Sequence, residues 1–116
     1  MRAGELTERF RFEKRRDTSP EGDGFGNFEA EWQVQFTVAA KLRFRRGGED
    51  VLAARLAGTQ PAILTIRVSR QAWEIRSDWR CVNDRTGEAF NIREEPTLNR
   101  DRDGLEMLIE RGVNSG

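Results

Sequence analysis

The sequence holds few residues of the kinds that carry acid–base or nucleophilic chemistry. It contains no histidine, so the commonest general base and metal ligand is missing. Its single cysteine, Cys81, lies in a predicted strand with no histidine to activate it, and we predict a buried, unreactive thiol. A lone cysteine also leaves no partner for an internal disulfide. These residues predict that the chain is not an enzyme.

Three short segments have a superficial likeness to binding motifs. Residues 22–26 are glycine-rich, but no helix with a lysine and a serine or threonine follows them, as a phosphate-binding loop requires. Residues 101–104 begin like a calcium loop but lack the remaining ligands and the closing glutamate, so a turn is favoured. Glu94 and Glu95 are predicted to form a solvated strand end. The sequence therefore predicts no cofactor and no metal site.

The charges balance, with 20 basic and 20 acidic residues and a formal net charge of zero. This balance argues against a protein held on nucleic acid or membrane by bulk charge. Nearly all of the cations are arginines, since Lys14 and Lys41 are the only lysines. Arginine suits interfaces and phosphates, although a GC-rich coding sequence would give the same bias.

Residues 30–45 form the stretch around which the other elements must be arranged. Every even position from 32 to 44 is apolar: Trp32, Val34, Phe36, Val38, Ala40, Leu42 and Phe44. This alternation is typical of a strand with one buried face. Fully extended, the run would reach roughly 45 Å, whereas a compact chain of this length has a radius of gyration of about 13–14 Å. The strand must therefore bend, and we predict a bulge at Ala39–Ala40.

Other strands are predicted from the same pattern at residues 6–14, 62–69, 72–76, 79–82, 88–93 and 104–112. Residues 83–87 are predicted to be a hairpin turn, and residues 49–57 a marginal helix. Residues 104–112 fit a strand or a helix, and a strand is favoured because it would close the sheet. The predicted fold is mostly β: a small antiparallel β-barrel or rolled sandwich of six to seven strands, with one short helix or mobile loop after the second strand.

The chain of 116 residues is predicted to be a single domain. Within it we expect a long exposed loop at residues 15–29, a loop or short helical insertion at 45–61, and a frayed tail at 113–116. No apolar run approaches the roughly 18 residues of a membrane span, and the first residues lack the apolar core of a signal peptide. Synthesis in the cytoplasm is expected.

Taken in order, several loose motifs resemble the head–tail joining proteins of tailed bacteriophages, also called head-completion or stopper proteins. The matching features are residues 1–6, the alternating 9–12, a glycine-rich loop before Trp32, Gly48–Glu49, 65–67 and 89–92. Residues 73–80 form a longer insertion than is usual in that family. The same fold is also used in gene transfer agents.

The resemblance implies a virion protein, made in the host bacterial cytoplasm, that forms a six- or twelve-fold ring. The ring would stack between a portal or adaptor protein and a tail terminator or tail tube protein. The ring would surround or close the DNA channel, double-stranded DNA would pass through it without sequence preference, and no membrane would be involved. The segment after the second strand would face the channel, which gives Arg43, Arg45, Arg46, Glu49, Asp50 and Arg55 as candidates. The long loop would contact partners through Arg15, Arg16, Phe25 and Phe28.

Two other functions remain open from the residues. Arg43, Arg45 and Arg46 around Phe44 would suit a barrel that binds single-stranded nucleic acid, and a generic protein–protein adaptor is also compatible. If the chain is a stopper, residues 51–57 between flanking glycines are a candidate gate.

Overall fold

The computed structural model describes residues 3–16, 31–44, 48–49, 52, 56 and 59–111. In this part of the chain seven antiparallel strands form one sheet. The strands are β1 (Glu8–Arg16), β2 (Glu31–Phe44), β3 (Gln60–Arg67), β4 (Arg80–Asn83), β5 (Ala89–Ile92), β6 (Thr97–Leu98) and β7 (Gly104–Arg111). A 3-10 turn at Ala3–Glu5 precedes β1, and a short α-helix, Arg70–Trp73, follows β3.

Strand β7 closes the sheet on itself. The sheet order is β3-β2-β1-β4-β5-β7-β6, and β3 also pairs with β7. One edge of β7 therefore binds β3 along its whole length, while the other edge binds β5 and β6. Six strands thus form a continuous ring of hydrogen bonds. The predicted mostly-β antiparallel fold is confirmed, as is the strand predicted over residues 104–112.

The core fills the inside of this closed sheet. Its largest fully buried side chains are Phe10, Phe12, Phe90, Leu64, Ile66, Ile75, Leu105 and Ile109. Phe12 stacks on Phe36 with ring centroids 5.1 Å apart, and Phe10 lies 5.8 Å from Phe90. Burial of these apolar side chains is the main driving force for a sheet that has few helices to cover it.

Strand β2 is confirmed as a long strand, but its bulge is not at Ala39–Ala40. The register against β1 shifts between Phe12, which faces Phe36, and Glu13, which faces Val34. Gln35 is thus the extra residue on β2. An extra residue shifts the alternation by one position, so even-numbered side chains before it and after it occupy opposite faces of the strand. The prediction that Trp32 and Val34 share the buried face with Phe36 was therefore wrong.

Some predicted boundaries also change. Arg15 and Arg16 belong to β1, where they pair with Trp32 and Glu31, and not to the predicted loop at 15–29. Gln60 and Pro61 belong to β3, where they pair with Arg111 and Glu110, and not to the predicted insertion at 45–61. In each case long-range pairing extends a strand beyond its apolar alternation.

Residues 72–76 do not form the predicted strand, because a capped helix occupies the start of this segment. Ser69 is the N-cap of the short helix Arg70–Trp73, and its Oγ accepts a hydrogen bond of 3.0 Å from the Ala72 amide. The helical turn places Ile75 in the core and leaves Trp73 exposed. The two residues were predicted to share a face.

The hairpin predicted between β4 and β5 is confirmed. The Asn83 amide donates to the Glu88 carbonyl, and the Gly87 amide donates to the Asn83 carbonyl. The Asn83 side-chain oxygen accepts from the Arg85 amide, which fixes the turn. Gly87 has a φ of 77°, in the region that favours glycine.

Several predicted segments lie outside the described residues. Residues 17–30, which include the glycine-rich segment and most of the predicted loop, are among them, as are residues 112–116 with the predicted tail. Of the predicted helix and gate, only Glu49, Leu52 and Leu56 are described. The Leu52 amide donates to the Gly48 carbonyl at 3.1 Å, the spacing of one α-helical turn. In the described part of the chain, no helix has the length and hydropathy to cross a bilayer.

Candidate interaction surfaces

A buried carboxylate organises the outer face of β1 and β4. Glu13 is only 6% exposed although it points away from the core. Its Oε1 accepts from Arg80 Nε at 2.6 Å, and its Oε2 lies 3.7 Å from Arg11 Nε. Arg11 also binds Asp84 Oδ1 at 2.6 Å. Charge-assisted bonds of this kind compensate for the desolvation of the carboxylate and hold both guanidinium groups in place.

Trp32 joins this cluster because of the bulge at Gln35. The Arg80 guanidinium carbon lies 4.5 Å from the centre of the Trp32 ring, within the range of a cation–π contact. Val34, which faces Glu13 across the β1–β2 pair, is 49% exposed. The outer face therefore carries an apolar patch bordered by fixed arginines.

The start of β1 is joined to the β4–β5 turn by a second ion pair. Glu8 Oε1 accepts from Arg85 Nη2 at 2.7 Å, and Asn83 Nδ2 lies 3.5 Å from Glu8 Oε2. The hydrogen bond from Arg85 lowers the pKa of Glu8 below its ordinary value. This ion pair holds the β4–β5 turn against the start of β1.

Arg111 covers one end of the core. Its guanidinium lies 5.1 Å from the Phe44 ring and 5.9 Å from the Phe90 ring. Its Nη1 donates to Gln60 Oε1, and its Nη2 donates to Glu88 Oε1. These contacts join the ends of β2, β3, β5 and β7, so this group has a structural role.

A polar groove of about 480 Å³ lies on the outside of β2, β3 and β7. Lys41, Thr65 and Glu106 lie side by side across the three strands, and Arg43 lies beside Ile63 in the next row. The groove is lined by Glu5, Lys41, Arg43, Ile63, Thr65, Asn99, Asp101, Asp103 and Glu106. Four carboxylates against two cations make it acidic overall.

The turn between β6 and β7 shapes one wall of this groove. Asn99 Oδ1 accepts from the Asp103 amide, and Asn99 Nδ2 donates to Asp103 Oδ1 at 2.9 Å. Arg102 has a φ of 62°, a conformation that turns favour. The chain therefore turns at residues 99–103, in agreement with the turn predicted from residue 101, and Gly104 begins β7. Asn99 organises this turn.

Within the described residues the structure brings together no catalytic or metal-binding constellation. No group of three or more His, Cys, Asp and Glu side chains there is placed to hold a metal ion. Cys81 is fully buried, as predicted, and burial raises the pKa of its thiol. The charge of Glu13 acts in the same direction.

The predicted site residues are only partly described. Arg43 lies in the acidic groove and Glu49 is exposed, whereas Arg45, Arg46, Asp50 and Arg55 lie outside the described residues. Of the predicted partner contacts, Arg15 is exposed near the end of β1. Arg16 is described only as part of the β1 backbone, and Phe25 and Phe28 lie outside the described residues.

The sequence reasoning missed the cluster of Glu13, Arg80 and Trp32. One signal was present, because Arg9, Arg11, Glu13 and Arg15 occupy alternating positions of the first strand. That spacing places one carboxylate among three arginines on a single face. No local signal identified Arg80 or Trp32 as its neighbours.

The matches to known proteins cover most of the chain. A family model described as phage head completion protein matches residues 1–112. The chain is similar to the solution structure of protein SF1141 from Shigella flexneri 2a, with a TM-score of 0.65, 21% identity, and coverage of 99% of this chain and 100% of that one. It is also similar to a chain of the virion of a native gene transfer agent particle, with a TM-score of 0.57, 19% identity, and coverage of 90% and 93%. No curated protein sequence matches it.

Proposed function

The chain belongs to the family of phage head completion proteins, and on that premise we propose that it is a connector subunit of the head–tail interface. Copies of it form a ring, six- or twelve-fold, around the channel through which DNA enters and leaves the head. The match to the family over residues 1–112 is the observation that carries this proposal. The likeness of fold to a chain of a gene transfer agent virion supports it.

The partners follow from this position in the particle. A ring subunit contacts two copies of itself, a portal or adaptor protein on the head side, and a tail terminator or tail tube protein on the tail side. Such a subunit must present several polar interfaces without a large net charge, which agrees with 20 basic and 20 acidic residues. Arg15, Arg16, Phe25 and Phe28 are the proposed contacts to neighbouring proteins.

Double-stranded DNA is the proposed content of the channel, held without sequence preference. Arg43, which also lines the acidic groove, begins the segment proposed to face the DNA, and Arg45, Arg46, Glu49, Asp50 and Arg55 are the other proposed channel residues. The arginines of this segment are followed by the carboxylates of Glu49 and Asp50. Mixed charges give weak net attraction to phosphates, so DNA can slide past them.

In this role the chain performs no chemical reaction and needs no cofactor. It is made in the host cytoplasm and resides in the virion. Several of the described charged groups support a binding role, because Arg11, Arg80 and Arg85 are joined to carboxylates in ion pairs on the sheet surface.

Loss of the gene from the phage, prophage or gene transfer agent that encodes this chain tests the proposal. We expect heads that leak DNA or lack tails in electron micrographs, and a loss of infectious or transducing particles. Supplying the wild-type chain from a plasmid should restore tailed particles. Normal tailed particles in the absence of the gene would overturn the proposal.

A further inference from the structure

Two outer surfaces of the closed sheet carry opposite charge. The arginine face consists of the outward residues Arg9, Arg11, Arg15 and Arg80 with Trp32 and Val34. The acidic groove is the one described above on β2, β3 and β7, with Asp101 and Glu106 in its lining. Both surfaces also have an apolar element, which is Val34 on the arginine face and Ile63 in the groove.

The strand order separates the centres of the two surfaces. In the ring β1-β2-β3-β7-β5-β4, strand β1 is three strands from β7 in either direction, and β4 is three strands from β3. The arginine face is centred on β1 and β4 and includes one end of β2 at Trp32 and Val34, whereas the groove is centred on β3 and β7 and includes the other end of β2 at Lys41 and Arg43. Complementary surfaces that do not overlap permit a head-to-tail contact that repeats and closes into a ring.

The arginine face is preorganised for a protein partner. Arg11 and Arg80 are held by Glu13 and Asp84, so their guanidinium groups are already fixed before binding. Fixed arginines around Trp32 and a half-exposed Val34 have the composition of a protein interface. The exposed valine adds apolar area to the face, which contacts with DNA phosphates do not use.

The groove offers the complementary charges. Asp101 is exposed in the β6–β7 turn, and Glu106 lies half-buried on β7 between Thr65 and Thr97. Arg9 and Arg15 are exposed on β1, which is three strands from β7. Carboxylates that meet arginines across an interface fix its register and exclude the reverse orientation, in which like charges would face each other.

We propose that the arginine face of one copy docks on the acidic groove of a second copy, and that this head-to-tail contact is the interface between neighbouring subunits. This proposal rests on the proposed function in one respect, namely that the repeated contact closes into a ring with a defined number of subunits. The contact itself follows from the two surfaces and their placement.

Charge reversal on each surface tests the contact with the full chain. Variant A carries Arg9→Glu and Arg15→Glu, and variant B carries Asp101→Arg and Glu106→Arg. We expect the wild-type chain to self-associate in sedimentation experiments in low salt at up to millimolar concentration. Each variant alone should associate at least about tenfold more weakly, because like charges now face each other. An equimolar mixture of A and B should recover association, since copies with two acidic surfaces can alternate with copies with two basic ones.

A matched control separates this effect from net charge. Arg70→Glu with Arg76→Glu reverses the same two charges on and beside the short helix, outside both surfaces, and should leave association unchanged. Thermal unfolding of every variant confirms that each is folded.

The remaining outcomes overturn the proposal. These are an absence of wild-type association, equal weakening by the control, or no recovery in the mixture.

If variant A instead loses affinity for a duplex oligonucleotide while its self-association is unchanged, the arginine face binds nucleic acid. Rings in electron micrographs that survive both variants would leave the proposed function standing without this interface. The charge-reversal variants can behave as expected while loss of the gene still gives normal tailed particles. In that case the interface would stand and the proposed function would not.

Discussion

Glu13 is the residue on which the arginine face depends. Its carboxylate is buried against the sheet and accepts a 2.6 Å hydrogen bond from Arg80. With the carboxylate gone, Arg80 would lose the partner that holds it over Trp32. A buried carboxylate with two arginine neighbours is therefore both a structural element and the means by which the interface is preorganised.

For Glu13→Gln we expect a loss of about 1–3 kcal/mol in the free energy of unfolding, because a charge-assisted bond in a partly buried site is replaced by a neutral one. Urea denaturation followed by tryptophan fluorescence measures it. Glu94→Gln is the control, since Glu94 is exposed, and should change stability by less than about 0.5 kcal/mol. Equal effects of the two substitutions would contradict this account of Glu13.

The ion pair of Glu8 and Arg85 should make stability depend on pH. The pKa of Glu8 is lowered in the folded chain, from the value of 4.5 of a free side chain, chiefly by its hydrogen bond to Arg85. A lowered pKa contributes stability above about pH 4.5, and the contribution is lost as the pH falls through the folded-state value.

The difference in stability between wild type and Glu8→Gln should therefore be largest near neutral pH and disappear in acid. It should be small and should decrease with salt, because Arg85 is largely exposed. Arg85→Gln should give the same pH dependence, as it removes the other member of the pair. Denaturation curves from pH 3 to pH 7 measure both, and a difference that does not vary with pH would exclude the linkage.

At the scale of the strand, Gln35 decides what β2 presents to solvent. After Gln35 in the chain, Phe36, Val38 and the following even positions face the core. Before Gln35, Trp32 and Val34 face outward, opposite Arg15 and Glu13. One inserted residue thus converts part of an apolar stripe into a binding surface.

Deletion of Gln35 should destabilise the chain by about 2 kcal/mol or more, because restoring the register would direct Trp32 inward or break its pairing with β1. Gln35→Ala keeps the bulge and should cost less than about 0.5 kcal/mol, since Gln35 is exposed. Chemical denaturation, with the tryptophan emission maximum as a second readout, compares the two variants. A deletion as mild as the alanine substitution would show that the bulge is not required.

At the scale of the whole molecule, closure of the sheet keeps the centres of the two surfaces three strands apart. Ile109 lies at the junction, paired with Ala62 of β3 and Ile92 of β5, and is fully buried. Its side chain therefore joins the two halves of the ring of strands.

Ile109→Ala should lower the free energy of unfolding by about 2–5 kcal/mol, the usual cost of a cavity at a fully buried isoleucine. Leu108→Ala is a matched control one residue away on the outer face, where the side chain is only half-buried, and should cost clearly less. Urea unfolding monitored by circular dichroism measures both. Similar losses would mean that the interior at the closure is not close-packed.

The sequence by itself determined the local features of this protein. The alternation of β2, the Asn83–Glu88 turn, the burial of Cys81 and the turn at 101–104 each depend on neighbouring residues, so they can be predicted from spacing and turn chemistry. The order of loose motifs also identified the family, which the match over residues 1–112 confirms. Arg43 and Arg15 were named as site residues, but their surroundings were not.

Only the tertiary structure decided which residues are neighbours. A periodic pattern gives a strand two faces, but it does not say which strand pairs with which, nor where an extra residue reverses the faces. The pairing of β7 with both β3 and β5 settled the ambiguity at 104–112, because two open edges needed the same strand. The meeting of Glu13, Arg80 and Trp32, and the assembly of the groove from β2, β3 and β7, arise from pairings between residues distant in sequence, which no local pattern encodes.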